Sequence, residues 1–241
     1  MKFAGILALA LTYIALVAAH AGLLFPAPRG GVRARDYNGR FHSFIGYKDK
    51  TWSVRFPCGG YAPGPVTNME AGKTINVRFY ASTMSSSQLN SQAALNRKKQ
   101  IKQARHGGGF CEFSLSYDGG RSFWVIGRYR ETCPDSYFVW PVLIPKEAPA
   151  CSGKNKCLFA WSWTANKVPQ YYHNCVDITL KSKSKLSVSA WTKGRPQIQR
   201  VDYSGVKRGV TAPGDGNSHN SGPGPRSSDL AANRKGNGHR V

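Results

Sequence analysis

The chain has 241 residues, with 34 Lys and Arg against 12 Asp and Glu, for a formal charge of +22. With 41% hydrophobic and 12% aromatic residues, a length of this order is enough to bury a core, which excludes a wholly disordered chain. The only long apolar run is at the very start, which excludes a helical membrane bundle, and so strong a positive balance favours attraction to polyanions.

Lys2 followed by the apolar stretch from Phe3 to Ala19 predicts a secretory signal over residues 1–19 and an extracellular protein with no transmembrane segment after cleavage. Two cuts satisfy the small-x-small rule, one after Ala19 and one after Ala21, and only the first leaves His20 as the new N-terminus. Secretion makes disulfides the expected state of Cys58, Cys111, Cys133, Cys151, Cys157 and Cys175. No paired CxxC spacing favours zinc. Six cysteines allow 15 connectivities. Nearest-neighbour closure predicts Cys111 with Cys133 and Cys151 with Cys157, leaving Cys58 with Cys175.

Between Thr51 and Leu180 short alternating runs are separated by turn residues: Thr74–Ala81, Cys111–Tyr117, Ser122–Arg128, Phe159–Thr164 and Val176–Leu180. Asp118-Gly119-Gly120 predicts a hairpin. The fold class is all-β, an immunoglobulin/fibronectin-like β-sandwich with long loops over residues 20–181, stapled by disulfides. Gln88–Arg105 is the one helix-like piece and carries five basic residues with no acid. After Tyr203 the last 38 residues hold 8 Gly, 3 Pro and no aromatic. Residues 182–241 therefore read as a basic, low-complexity extension ending in a disordered tail. Residues 20–180 carry a net +12 themselves, so the positive field belongs to the folded part as well.

A free N-terminal His20 offers one metal ion both its α-amine and its ring Nδ1, and a second imidazole completes three nitrogens, a set that suits Cu(II). His106, ahead of Gly107-Gly108-Gly109, is the natural second donor because little bulk surrounds the ring. Four ordered motifs then accompany one another. They are His20 with Pro26 and Pro28; Phe56–Tyr61 (FPCGGY); His106–Asp118 (HGGGFCEFSLSYD); and Tyr171–Cys175 (YYHNC) preceded by Ala160–Thr164 (AWSWT).

In these motifs the chain resembles the copper-dependent lytic polysaccharide monooxygenases, most closely the fungal, chitin-active auxiliary-activity family eleven, over most of residues 20–181. The resemblance implies one copper ion held by His20 and His106, with Tyr172 axial and Trp161 and Trp163 in the core. It also implies a reductant and O2 or H2O2 as co-substrates. The family's glutamate two positions before the tyrosine is here Gln170. An amide orients oxygen by hydrogen bonding but does not exchange protons as a carboxylate does. His173, next to Tyr172, is expected to point away from it on a strand and to lie behind the site or on the surface. Tyr37, Phe41 and Tyr47 are candidates for stacking on sugar rings or for loop packing.

The implied activity is oxidative cleavage, at C1 or C4, of an insoluble polysaccharide such as chitin or another cell-wall glycan, by a monomer. Two alternatives stand beside it: a copper-capture protein with the same brace and no glycan chemistry, and a basic glycan-binding or adhesion protein. The basic loop 85–105 and the basic tail add a possible anionic surface as partner. Nucleic acid is not expected, since no aromatic-basic module of that kind is present.

Overall fold

A computed structural model describes residues 21–31, 42–43, 56–81, 84–91, 103, 106–153, 155–165 and 171–198. The predicted signal, His20, Tyr37, Phe41, Tyr47, Gln170 and the predicted tail lie outside the described residues.

Among the described residues, nine strands form two sheets. They are β1 (Gly22–Phe25), β2 (His42–Ser43), β3 (Val66–Glu70), β4 (Thr74–Tyr80), β5 (Gly109–Ser116), β6 (Trp124–Tyr129), β7 (Trp140–Leu143), β8 (Leu158–Ala165) and β9 (Tyr171–Lys181). The smaller sheet runs β1-β4-β7 and the larger β2-β9-β8-β5-β6, with β3 parallel to the far half of β9. Alternation decides which side chains lie between the sheets. Val77 and Phe79 from β4 meet Cys111, Phe113 and Leu115 from β5, Trp161 and Trp163 from β8, and Tyr172, Val176 and Ile178 from β9 in one buried cluster. This is the expected all-β sandwich, and β5 and β6 form the expected hairpin across 118–120.

All three expected disulfides are present: Cys58–Cys175, Cys111–Cys133 and Cys151–Cys157.

One expectation is corrected. The helix-like run does not begin at Gln88 and continue unbroken: α1 spans Ser86–Asn90, and Ser91 is already extended. Ser85 explains the early start, because its hydroxyl accepts from the Gln88 N–H while the Gln88 side chain accepts from the Ser85 N–H.

The packed chain also runs past Lys181. Helix α2 (Val188–Thr192) buries Trp191 against Tyr117, with ring centroids 5.4 Å apart. Residues 196–198 then lie along β6, where the Val125 N–H donates to the Pro196 carbonyl and the Ile198 N–H to that of Phe123. The indole and these backbone bonds hold the segment in place, so the described part of the extension is not loose.

Candidate functional site

One end of the sandwich collects the tips of β1, β4, β5, β8 and β9. His106-Gly107-Gly108 is the turn that leads into β5 at this end. His106 itself has φ of +43°, a strained region for a side-chain-bearing residue, held by the glycines that follow. The Gly109 N–H donates to the Glu131 carbonyl at 3.0 Å. A Cβ at Gly108 would sit 1.6 Å from that same oxygen, and one at Gly109 would sit 2.1 Å from the Thr164 carbonyl. The turn is thus pressed between two neighbouring segments and admits only glycine.

The half-buried His106 ring lies over an aromatic floor. Its centroid is 5.8 Å from that of Trp163, nearly parallel, and 6.5 Å from that of Tyr172. Trp163 and Tyr172 stack on each other at 4.4 Å from adjacent strands and are fully buried. Trp161 continues the layer inward at 6.2 Å from Trp163, so both tryptophans are core aromatics, as expected.

The N-terminal strand reaches the same end. Gly22 pairs with Tyr80, and the Leu23 N–H donates to Asn174 Oδ1 at 2.8 Å, two residues along β9 from Tyr172. Ala21 is buried in the cluster that holds Tyr172 and Ala165. The first described strand therefore lies against β9 next to Asn174, two residues from the tyrosine that the His106 ring faces. Strand β8 ends at Ala165 and β9 begins at Tyr171 at this same end.

Of the sequence-derived site residues, the structure brings His106 and Tyr172 together. His173 does point away from Tyr172, but it is buried rather than on the surface. Phe56 and Phe123 cover it, each with a ring centroid 4.8 Å away, and its Nδ1 accepts the Cys58 N–H at 3.2 Å. Cys58, His173 and Cys175 have ligand atoms within metal-binding reach of one another. Both sulfurs are spent in a disulfide, however, and a disulfide sulfur is no thiolate donor.

Asn174 was missed by sequence reasoning. Its only signal is that it is the polar member of the every-second set Tyr172, Asn174, Val176, Ile178 and Leu180 on β9.

The donor chemistry at the His106 end fits copper. A half-buried imidazole backed by an apolar wall suits a nitrogen-seeking transition ion, whereas calcium and magnesium require oxygen ligands.

No family model matches the chain. It is 28% identical over 184 residues to the AA11 family lytic polysaccharide monooxygenase A of Aspergillus fumigatus, covering 68% of this chain and 66% of that protein. The match thus spans just under two thirds of the relative's length. Among solved structures, an AA10 lytic polysaccharide monooxygenase from Streptomyces lividans aligns with 66% of this chain and 99% of its own at 12% identity and a TM-score of 0.42. The catalytic domain of a Listeria monocytogenes enzyme of the same type aligns with 68% of this chain and 100% of its own at 13% and 0.41. The strand pairing described above, and not these superpositions, defines the fold. In sequence the chain is similar to the lytic polysaccharide monooxygenases, and the curated relative it matches belongs to family AA11.

Proposed function

We propose that the protein is a secreted, copper-dependent lytic polysaccharide monooxygenase that oxidatively cleaves chitin or another cell-wall glycan. The observation that carries this reading is that β1 and the His106 ring both meet the start of β9, β1 through the Leu23 to Asn174 bond and His106 over Tyr172. Signal cleavage after Ala19 places a free amine and an imidazole one residue ahead of buried Ala21. His20 contributes those two nitrogens and His106 a third. Copper bound there supplies one-electron chemistry with O2 or H2O2 once an external reductant has acted.

The residues around the ligands have separate tasks. The strained turn presents the His106 ring with no neighbouring side chain on its glycine side. Tyr172, immobilised against Trp163, closes the site from the core side and excludes water there. Gln170 would orient a reacting oxygen by donating a hydrogen bond from its amide and would not move a proton.

The test starts with the N-terminal sequence of the secreted protein, which is expected to begin at His20. Added Cu(II) raises the melting temperature, because the ion binds the folded state, and His106→Ala removes that shift. Mass spectrometry of chitin treated with the copper-loaded protein and a reductant then finds oligosaccharides one oxygen heavier than the native ladder. A mature chain that begins elsewhere, or a His106→Ala variant with an unchanged copper shift, overturns the brace. Copper stabilisation without oxidised products on any glycan assigns the protein to copper capture.

A further inference from the structure

Five exposed lysines gather where β9 finishes. Lys181 closes that strand in register with Glu70, the last residue of β3. The turn after Glu70 is fastened to two neighbours: the Ala71 N–H donates to the Lys181 carbonyl at 2.9 Å, and the Gly72 N–H to that of Ile144 at 2.8 Å. Lys73 leaves this turn, and its own carbonyl accepts the Ile144 N–H at 2.9 Å. Gly72, at φ of +82°, lies so near the segment after β7 that an added Cβ would touch the Lys146 Cβ at 3.4 Å.

Beyond Lys181 the sequence alternates Ser and Lys, and the serines hold the segment down. Ser184 Oγ donates to the Glu147 carbonyl at 2.8 Å and accepts the Leu186 N–H, while the Ser184 N–H donates to Ser182 Oγ. Both serines are half-buried, which leaves Lys183 and Lys185 facing solvent. Glu147 pairs with Lys146 at 3.7 Å and Glu70 stands opposite Lys181, so five lysines meet two carboxylates and the surface stays cationic.

A cleft of about 320 Å3 opens at this end, lined by Asn68, Glu70, Lys73, Thr74 and Lys181 over a base of Met69, Ile75 and Ile144. Its chemistry is mixed. Two ammonium groups suit an oxyanion, the amide and the hydroxyl both donate and accept, and the Glu70 carboxylate accepts from hydroxyls. A bare phosphate or sulfate would set its own charge against that carboxylate. A flat bilayer does not enter a cleft, and no aromatic ring lines this one to stack a nucleobase. A sugar that carries one acidic group among several hydroxyls matches every polar group present.

We propose that this cleft is a glycan-binding site separate from the His106 turn, that it takes an acidic sugar unit of a linear polysaccharide, and that Lys146, Lys183 and Lys185 meet the next charges along the polymer. The proposal does not rest on the monooxygenase reading. Tyr172 and Lys181 stand near opposite ends of β9, roughly 30 Å apart at the rise of a strand. A polymer held here therefore leaves the His106 turn uncovered.

The test measures, by calorimetry, binding of the full secreted chain to trigalacturonate and to a sulfated trisaccharide, probes short enough to read a cleft rather than the field of the whole chain. An acidic trisaccharide is expected to bind, and the tighter of the two tells a carboxylate from a sulfate ester. Lys73→Gln/Lys181→Gln weakens that binding about tenfold. Asn68→Ala/Thr74→Ala removes no charge and weakens it about fivefold; both residues are exposed, so the fold is kept. Binding within twofold of wild type in the lysine variant overturns the proposal. So does wild-type binding in the Asn68 and Thr74 variant, which reduces the surface to a field of charge. Binding to neither trisaccharide, with lysine-dependent binding to phosphatidylserine vesicles or to oligothymidylate, overturns it as well. Acidic-sugar binding by a chain that shows no copper shift leaves this site in place and removes the monooxygenase reading instead.

Discussion

Gly108 shows how one missing side chain shapes the site. Its φ of +78° and the Glu131 carbonyl 1.6 Å from any added Cβ leave no room for relaxation short of moving β5 or the segment around Glu131. Gly108→Ala is expected to lose more than about 1 kcal/mol of stability in denaturant unfolding. It should also displace the His106 ring, seen as a weaker copper-induced rise in melting temperature. The glycines and the histidine were legible in the sequence because HGGG is a local pattern. Asn174 was not, because its role lies in a bond to Leu23, 151 residues away in the chain. The burial of His173 was equally hidden, since alternation gives the direction of a side chain but not what covers it.

At the scale of elements, the strands were readable where alternation and turn residues coincide, as around Asp118-Gly119-Gly120. Strand β9 was read short: it begins at Tyr171, not Val176, because Tyr-Tyr-His-Asn-Cys does not alternate in hydrophobicity although both its faces are covered. The segment after Lys181 was lost among lysines and serines, although Ser187, which accepts the Ala190 N–H, marks a helix start with Trp191 within it. That indole is only 4% exposed, and Arg195 stacks on it with its guanidinium carbon 4.3 Å from the ring centroid. Trp191→Ala is expected to cost about 3–5 kcal/mol, read as a lower melting temperature. The copper-induced shift should be retained, because Trp191 packs on Tyr117, far along β5 from the His106 turn.

Across the whole molecule, Asp177 ties four distant parts of the chain together. Arg29 donates to both its carboxylate oxygens at 2.7 and 2.8 Å, and the backbone N–H groups of Gly64 and Asn155 complete the set. Burial by itself raises the Asp177 carboxyl, but the bonds from Arg29, Gly64 and Asn155 and the charge of Arg29 outweigh it and hold it below the ordinary carboxylate range. A folded-state value below the unfolded one gives stability that is complete above the unfolded value of about 3.9 and is lost as pH falls through the folded value. Asp177→Asn should therefore melt well below wild type at neutral pH, with the gap closing in scans taken under about pH 4.

The strand-like pairing of residues 196–198 with β6 has a consequence for how the protein is deployed. Trp124, opposite Gln197, lies at the pole where Leu115 and Phe159 sit, while Gly109, Ala165 and Tyr172 mark the other pole. The last described residue, Ile198, therefore lies at the pole remote from the histidine turn. A fusion partner or an immobilising tag joined directly after Ile198 would thus leave the His106 end turned outward, like a tool gripped by its handle.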